Sequence, residues 1–290
     1  MQLVPESIVA LRRIKARWIP AFAGMTLMGC SATPLPATDR IVSTNPCLDA
    51  ILVELVPVER IAAISHYSRD PRSTSMPLPL ARRLGTTSGT AEEVIALRPG
   101  LVLASSFTAP ATLGAYQRLG LEVARFPIAS TLEENRAQIR AIAQAVGARE
   151  RGEALVARID RAVGAAEPRD ARRPLALLWL GGSNLVNGQG TLIDELLGKA
   201  GFQNASAAYG VRFTGVLPLE HVVAHPPDVV MTPVSRAGAD EDARRASLRM
   251  RALRGKAVVA DFPPNLFYCG GPSIVPAMAR LVAMRRQVAR

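Results

Sequence analysis

A short stretch of this chain occurs twice, so the fold must accommodate a duplication. Residues 92–102 read E-E-V-I-A-L-R-P-G-L-V and residues 220–230 read E-H-V-V-A-H-P-P-D-V-V. Glu92, Val94, Ala96, Pro99 and Val102 match Glu220, Val222, Ala224, Pro227 and Val230 at one constant offset. In each copy, apolar positions at helical spacing run into a proline that stops a short helix. An aliphatic run follows, as expected of a strand buried on both faces. A second pair, V-A-R-F-P at 123–127 and V-A-D-F-P at 259–263, follows in the same order at a slightly larger offset. Two ordered pairs separated by a short insertion point to one α/β lobe made twice.

With 290 residues, 49% of them apolar, the chain can fill two cores. Its net charge of +11 comes mainly from scattered arginines without a long Lys/Arg run. That distribution reads as an arginine-rich composition more than as a nucleic-acid or headgroup patch.

Residues 1–39 read as a signal and tether. Arg12, Arg13, Lys15 and Arg17 precede an apolar run from Trp18 to Met28, interrupted by Pro20 and Gly24 and too short to span a bilayer. The run Leu27-Met28-Gly29-Cys30 resembles a bacterial lipobox, which makes Cys30 the lipidation site and the membrane a partner through a lipid anchor. The stretch W-I-P-A-F-A-G-M-T also resembles translated intergenic repeat DNA, so residues 1–30 are set aside from fold reasoning. A signal implies an oxidising, periplasmic compartment. There Cys47 and Cys269 either pair across the two lobes or stay as two semi-buried thiols, and both readings remain open.

Ile41–Ser43 and Ile61–Ile64 read as strands around a helix at 47–57. The alternation continues through a helix at 110–119 and a strand ending at Phe126, which gives βαβ units and a parallel sheet. From Thr131, which forms a capping box with Glu134, to Ala166 no proline intervenes. Ile139, Ile142, Ala143, Val146, Leu155, Val156, Ile159 and Val163 recur there at helical spacing. The expectation is one stiff connecting helix over 131–167, roughly 50 Å long, with Gly147 and Gly152 the two places where it could break. The fold class is therefore α/β: an N-terminal lobe (40–130), the connecting helix and a C-terminal lobe (168–290), each lobe with a parallel sheet.

No phosphate loop, dinucleotide fingerprint or nucleophile elbow occurs, so the glycine run at 181–190 reads as a turn, and neither catalysis nor a cofactor is expected. His221 and His225, spaced i and i+4, could present two imidazoles to zinc, while His66 lies in the other lobe. A zinc-binding chaperone or chelatase-like protein would need all three to converge. What remains is a set of loops at the carboxyl ends of the expected parallel strands, where open α/β sheets bind ligands. They carry Asn45, Tyr67, Arg69, Phe107, Tyr209, Arg212, Phe213, Arg236 and Tyr268. Aromatic walls with a few polar groups between them are the usual form of a small-molecule pocket.

These loops and repeats resemble the periplasmic substrate-binding proteins of ABC importers for iron chelates and vitamin B12. The likeness lies in R-I-V-S-T-N-P-C-L-D from Arg40, S-H-Y-S-R-D from Ser65, E-E-V-I-A-L-R-P-G-L-V-L-A from Glu92, L-E-H-V-V-A-H-P-P-D-V-V from Leu219 and Y-C-G-G-P-S-I from Tyr268. It implies two Rossmann-like lobes bridged by one long helix, a metal chelate (ferric siderophore, cobalamin or haem) held between them, and a monomer that delivers it to a membrane permease. It also implies that Glu92 and Glu220, one per lobe, meet arginines of that permease. Tyr67 matches an aromatic that packs on the corrin ring of the B12 binder, whereas Ser88 and Ser105 stand where two tryptophans are expected. Arg69, Arg212 and Arg236 would suit an anionic siderophore.

Overall fold

The computed structural model describes residues 39–168, 170–180, 184–233, 248 and 250–288; the expected signal, tether and Cys30, and Arg236, fall outside them. The N-terminal sheet contains β1 (Ile41–Ser43), β2 (Ile61–Ser65), β3 (Thr86–Thr87), β4 (Leu101–Ser105) and β5 (Val123–Phe126). All pairs are parallel, in the order β3-β2-β1-β4-β5. Its helices are α1 (Pro46–Leu55), α2 (Leu78–Arg83), α3 (Ala91–Ala96) and α4 (Pro110–Arg118). After α5 (Leu132–Ala145) and α6 (Arg149–Gly164) comes the C-terminal sheet. It contains β6 (Leu175–Trp179), β7 (Leu185–Asn187), β8 (Gln203–Asn204), β9 (Thr214–Val216), β10 (Val229–Thr232) and β11 (Val258–Asp261), with helices α7 (Leu192–Lys199), α8 (Leu219–Ala224) and α9 (Ile274–Val288).

The duplication is visible in register. Val102 stands opposite Val123 between β4 and β5, and the matching Val230 stands opposite Val259 between β10 and β11. The order β11-β10-β6-β8 repeats β5-β4-β1-β2 as parallel strands. The second sheet departs from the all-parallel expectation at one edge, where β7 runs antiparallel to β6 and to β9. The segment between β6 and β7 is too short for a crossover helix, so the chain can only reverse.

Alternation along each strand separates two faces. Val42 and Val102 face outward with the buried Val94 of α3, and Leu177 and Val230 face outward with the buried Val222 of α8. Ile41, Ile64 and Leu103 of the first sheet and Ala176, Leu178, Val229 and Met231 of the second belong to one continuous core with α1, α5, α6, α7 and α9. Helices on both faces explain why the central strands β1, β2, β4, β6 and β10 are buried almost throughout. The two sheets therefore share a core, and residues 35–290 form one compact unit.

The single connecting helix is not formed. Ala148 N–H donates to Ala143 O at 2.7 Å and Gly147 N–H to Gln144 O at 3.2 Å, with Gly147 at φ +69°. These are the two bonds of a Schellman stop, which glycine adopts without the Cβ penalty. The chain turns back, and α6 runs antiparallel against α5: Arg136 pairs with Asp160 at 2.8 Å and Arg140 with Glu153 at 2.8 Å. Gly152, the other expected break, is inside α6, where a Cβ would stand 2.4 Å from that of Ala143. It permits the close approach of the two helices.

Candidate ligand-binding cleft

The lobes meet along a seam built from N-lobe helices and C-lobe loops. Cys47, in the first turn of α1, is disulfide-bonded to Cys269, with their Cα atoms 5.1 Å apart, and this settles the pairing that the sequence left open. Cys269 N–H donates to Ser75 Oγ at 3.2 Å, and Gly271 N–H donates to Oδ1 of the buried Asn135 at 3.2 Å. Gly270 lies so close to Asn135 and Leu192 that any Cβ would collide with the amide. Residues of α1, α5, the start of α7 and the loop after β11 are thus fixed against one another.

Four of the expected rings are exposed: Tyr67 (54% exposed), Phe107 (75%), Phe213 (64%) and Tyr268 (50%). Tyr67 and Phe107 follow the carboxyl ends of β2 and β4, as expected. The Tyr67 ring lies 4.0 Å from that of His66, centroid to centroid, and Tyr268 stacks on Phe267 at 5.6 Å. Phe213 is placed differently from the expectation. It leads into the edge strand β9 with φ +54°, a left-handed conformation that costs a non-glycine residue about 1 kcal/mol or more. Gly188 donates its N–H to Phe213 O and has no room for a side chain beside Val211 O and Phe213 O. Gly188 therefore permits close packing of a loop. Arg212 beside it is exposed, and no side-chain hydrogen bond or ion pair joins it to another described residue.

Three expected ligand contacts have other duties. Tyr209 packs against the outer cluster of the second sheet, and its hydroxyl donates to His225 O at the end of α8; the Ala205–Tyr209 turn faces away from the seam because it covers β6 on its outer side. The Arg69 guanidinium donates to Ala81 O and Leu84 O, satisfying carbonyls at the end of α2. Asn45 caps α1, its Oδ1 accepting from Cys47 N–H at 2.9 Å and Leu48 N–H at 3.4 Å.

Beneath Tyr67 lies a group that the sequence reading missed. Asp49 on α1 is fully buried; its Oδ2 accepts from Ser65 N–H at 2.9 Å and from Ser68 Oγ–H at 2.6 Å. Burial pushes its pKa up to about 8, against the pull of the Ser43, Ser68 and Ser65 hydrogen-bonding groups. Its Oδ1 and the Ser43 hydroxyl are both buried without a hydrogen bond, a pair that a protonated carboxyl can satisfy by donating its O–H. The signal was present in the sequence: a lone carboxylate inside the apolar run Leu48-Asp49-Ala50-Ile51-Leu52.

The repeated glutamates are exposed in the first turns of α3 and α8. Local hydrogen bonding at α3 falls to the neighbour: Glu93 accepts from Ser88 N–H and the Thr87 hydroxyl, which hold its carboxyl below the usual range. Glu92 and Glu220 are left facing solvent. The histidines do not assemble: His66 Nδ1 lies 3.2 Å from Thr87 O, His221 is in α8 and His225 at its C-terminal cap, and no group of three potential metal ligands exists among the described residues.

The sequence profile of the periplasmic binding protein family matches residues 41–257. The chain belongs to this family. No curated protein matches it in sequence. Solved structures of the same fold include the periplasmic heme-binding protein RhuT from Roseiflexus sp. RS-1 in apo form, with 23% identity and a TM-score of 0.67 over 87% of this chain and 99% of that one. The periplasmic heme-binding protein BhuT in complex with two hemes has 25% identity and a TM-score of 0.64 over 86% and 97%. The periplasmic vitamin B12 binding protein BtuF of Vibrio cholerae has 19% identity and a TM-score of 0.66 over 87% and 98%. Family and fold thus agree with a binding protein built on two related sheets.

Proposed function

We propose that this chain is the substrate-binding component of an ABC importer that captures a metal-bearing tetrapyrrole, haem or a corrinoid, in the inter-lobe cleft. It hands the ligand to a membrane permease without altering it chemically. The observation that carries the reading is the set of four exposed rings on loops of both lobes, one of them, Tyr268, next to the inter-lobe disulfide. Exposed rings suit a flat conjugated macrocycle, which gains stacking and burial from them. A ferric siderophore is the weaker reading. Of the arginines invoked for an anionic ligand, Arg69 is bound to backbone carbonyls instead. The disulfide supports a periplasmic location, free or lipid-anchored through Cys30, because such bonds persist in oxidising compartments. The shared core supports small lobe movements in place of wide hinge closure.

In this reading Glu92 and Glu220 dock on permease arginines. Neither is used in capping its helix, and two charges on helices of the two lobes of one compact unit set register and orientation. The test is a parallel titration of the purified protein with haem, cobalamin and a ferric siderophore, followed by tryptophan fluorescence and ligand absorbance. Submicromolar binding of one tetrapyrrole is expected. Failure of both tetrapyrroles to bind below the micromolar range overturns the assignment.

A further inference from the structure

The turn that carries Tyr67 is held from below at two points. Ser65 ends β2, and its hydroxyl accepts the Tyr67 N–H at 3.3 Å; Ser68 closes the turn one residue beyond the ring. Both are tied to the same oxygen, Asp49 Oδ2, through the Ser65 N–H and the Ser68 hydroxyl. Asp49 is itself fixed in α1, the helix whose first turn is cross-linked to the opposite lobe at Cys269. A buried side chain thus connects the inter-lobe seam to the placement of an exposed ring, although it touches no solvent and cannot reach a ligand.

A lone carboxyl is an unusual choice for packing alone. An apolar residue of similar size would fit the run around it, but would leave the Ser65 N–H and the Ser68 hydroxyl unpaired beneath the turn. We propose that Asp49 is a positioning residue for the ligand cleft: by fixing both flanks of Tyr67 to α1, it sets where that ring stands to receive a ligand. The inference deepens the proposed tetrapyrrole-binding reading and depends on it for the ligand. The clamp itself is a statement about the 65–68 segment and is measurable without ligand.

The variants are Asp49→Asn, Asp49→Ala, Tyr67→Ala and Asp49→Ala/Tyr67→Ala. Asn keeps a carbonyl oxygen for Ser65 and Ser68 and offers an amide donor in place of the unpaired Oδ1, beside the buried Ser43 hydroxyl. The expected result with haem and cobalamin is affinity within about threefold of wild type for Asp49→Asn and a loss of about tenfold or more for Asp49→Ala. Adding Asp49→Ala to Tyr67→Ala should then cost little more, because residues acting through one another are non-additive. Strictly additive losses, or an Asn variant as weak as the Ala variant, overturn the proposal. Amide exchange read at Ser65 and Tyr67 provides the ligand-free arm: faster exchange in Asp49→Ala but not in Asp49→Asn supports the clamp, and unchanged exchange in both refutes it. If wild type binds neither tetrapyrrole, the functional assignment falls and the exchange result alone decides the clamp. Should Asp49→Ala fail to fold, Ser68→Ala removes one anchor and should give an intermediate loss that again merges with that of Tyr67→Ala; an unaltered affinity there overturns the proposal.

Discussion

Replacing Cys47 and Cys269 together by serine tests how the two lobes are held in register. The bond closes a loop of 222 residues, nearly the whole folded unit. In the chain-entropy account, a cross-link over that span removes about 5 kcal/mol of conformational freedom from the unfolded state, near the upper end of what disulfides contribute. Single chains are commonly stable by only 5–15 kcal/mol, so the double variant should lose a large share of the total. It should still fold. The shared core and the Gly271–Asn135 bond are independent of the cross-link. The assay is urea unfolding without reductant, followed by far-ultraviolet circular dichroism. The expected result is a lower midpoint together with a steeper denaturant dependence, because an uncross-linked unfolded chain exposes more surface. Alkylation of both thiols in the untreated native protein would refute the reasoning. So would a variant within about 1 kcal/mol of wild type at the same slope.

Three further outcomes follow from particular residues. Asp49 has a folded pKa raised from 3.8 to about 8, so the native state keeps a proton that the unfolded state releases. Its contribution is fully present below about pH 4 and is lost as pH rises towards 8, at up to about 1.4 kcal/mol per pH unit. The stability difference between Asp49→Asn and wild type should therefore grow by about 3 kcal/mol in the variant's favour from about pH 5 to about pH 7.5, and parallel pH profiles would count against a buried, protonated Asp49. Gly152→Ala should destabilise the α5–α6 pair by about 1–3 kcal/mol of overpacking, partly offset by alanine's helix preference, since its methyl would meet Ala143 Cβ at 2.4 Å; a thermal midpoint at or above wild type excludes the tight contact. Charge reversal of Glu92 and Glu220 together should abolish ligand uptake by cells while the purified protein binds ligand as before, and unimpaired uptake would rule out the docking role.

The repeat was legible because its message is local. A proline that ends a short helix and an aliphatic run after it give a helix and a strand from a few residues each, and α3–β4 and α8–β10 form there, with Val94 and Val222 buried in equivalent places. Tyr67 and Phe107 stand exposed for a similar reason: loops after buried strands are surface segments. The failures were non-local. Helical spacing continues through Gly147, and an apolar stripe does not say whether its partner is another domain or its own continuation folded back. Tyr209, Arg69 and Asn45 have the right chemistry for a ligand, but in each case a nearby backbone group satisfies it.

The amino-acid sequence by itself determined that a strand–helix unit was made twice and that its central strands are buried and parallel. Only the tertiary structure decided that the two sheets share one core, that Cys47 reaches Cys269, and that Asp49 is buried beneath the turn that carries Tyr67. The physical division is between short- and long-range causes. Propensity, capping and periodicity act over a few residues and are written along the chain. Which groups lose their water together depends on contacts between residues far apart in sequence, and in this protein those contacts bury Asp49 and tie it to the Ser65–Ser68 turn that carries Tyr67.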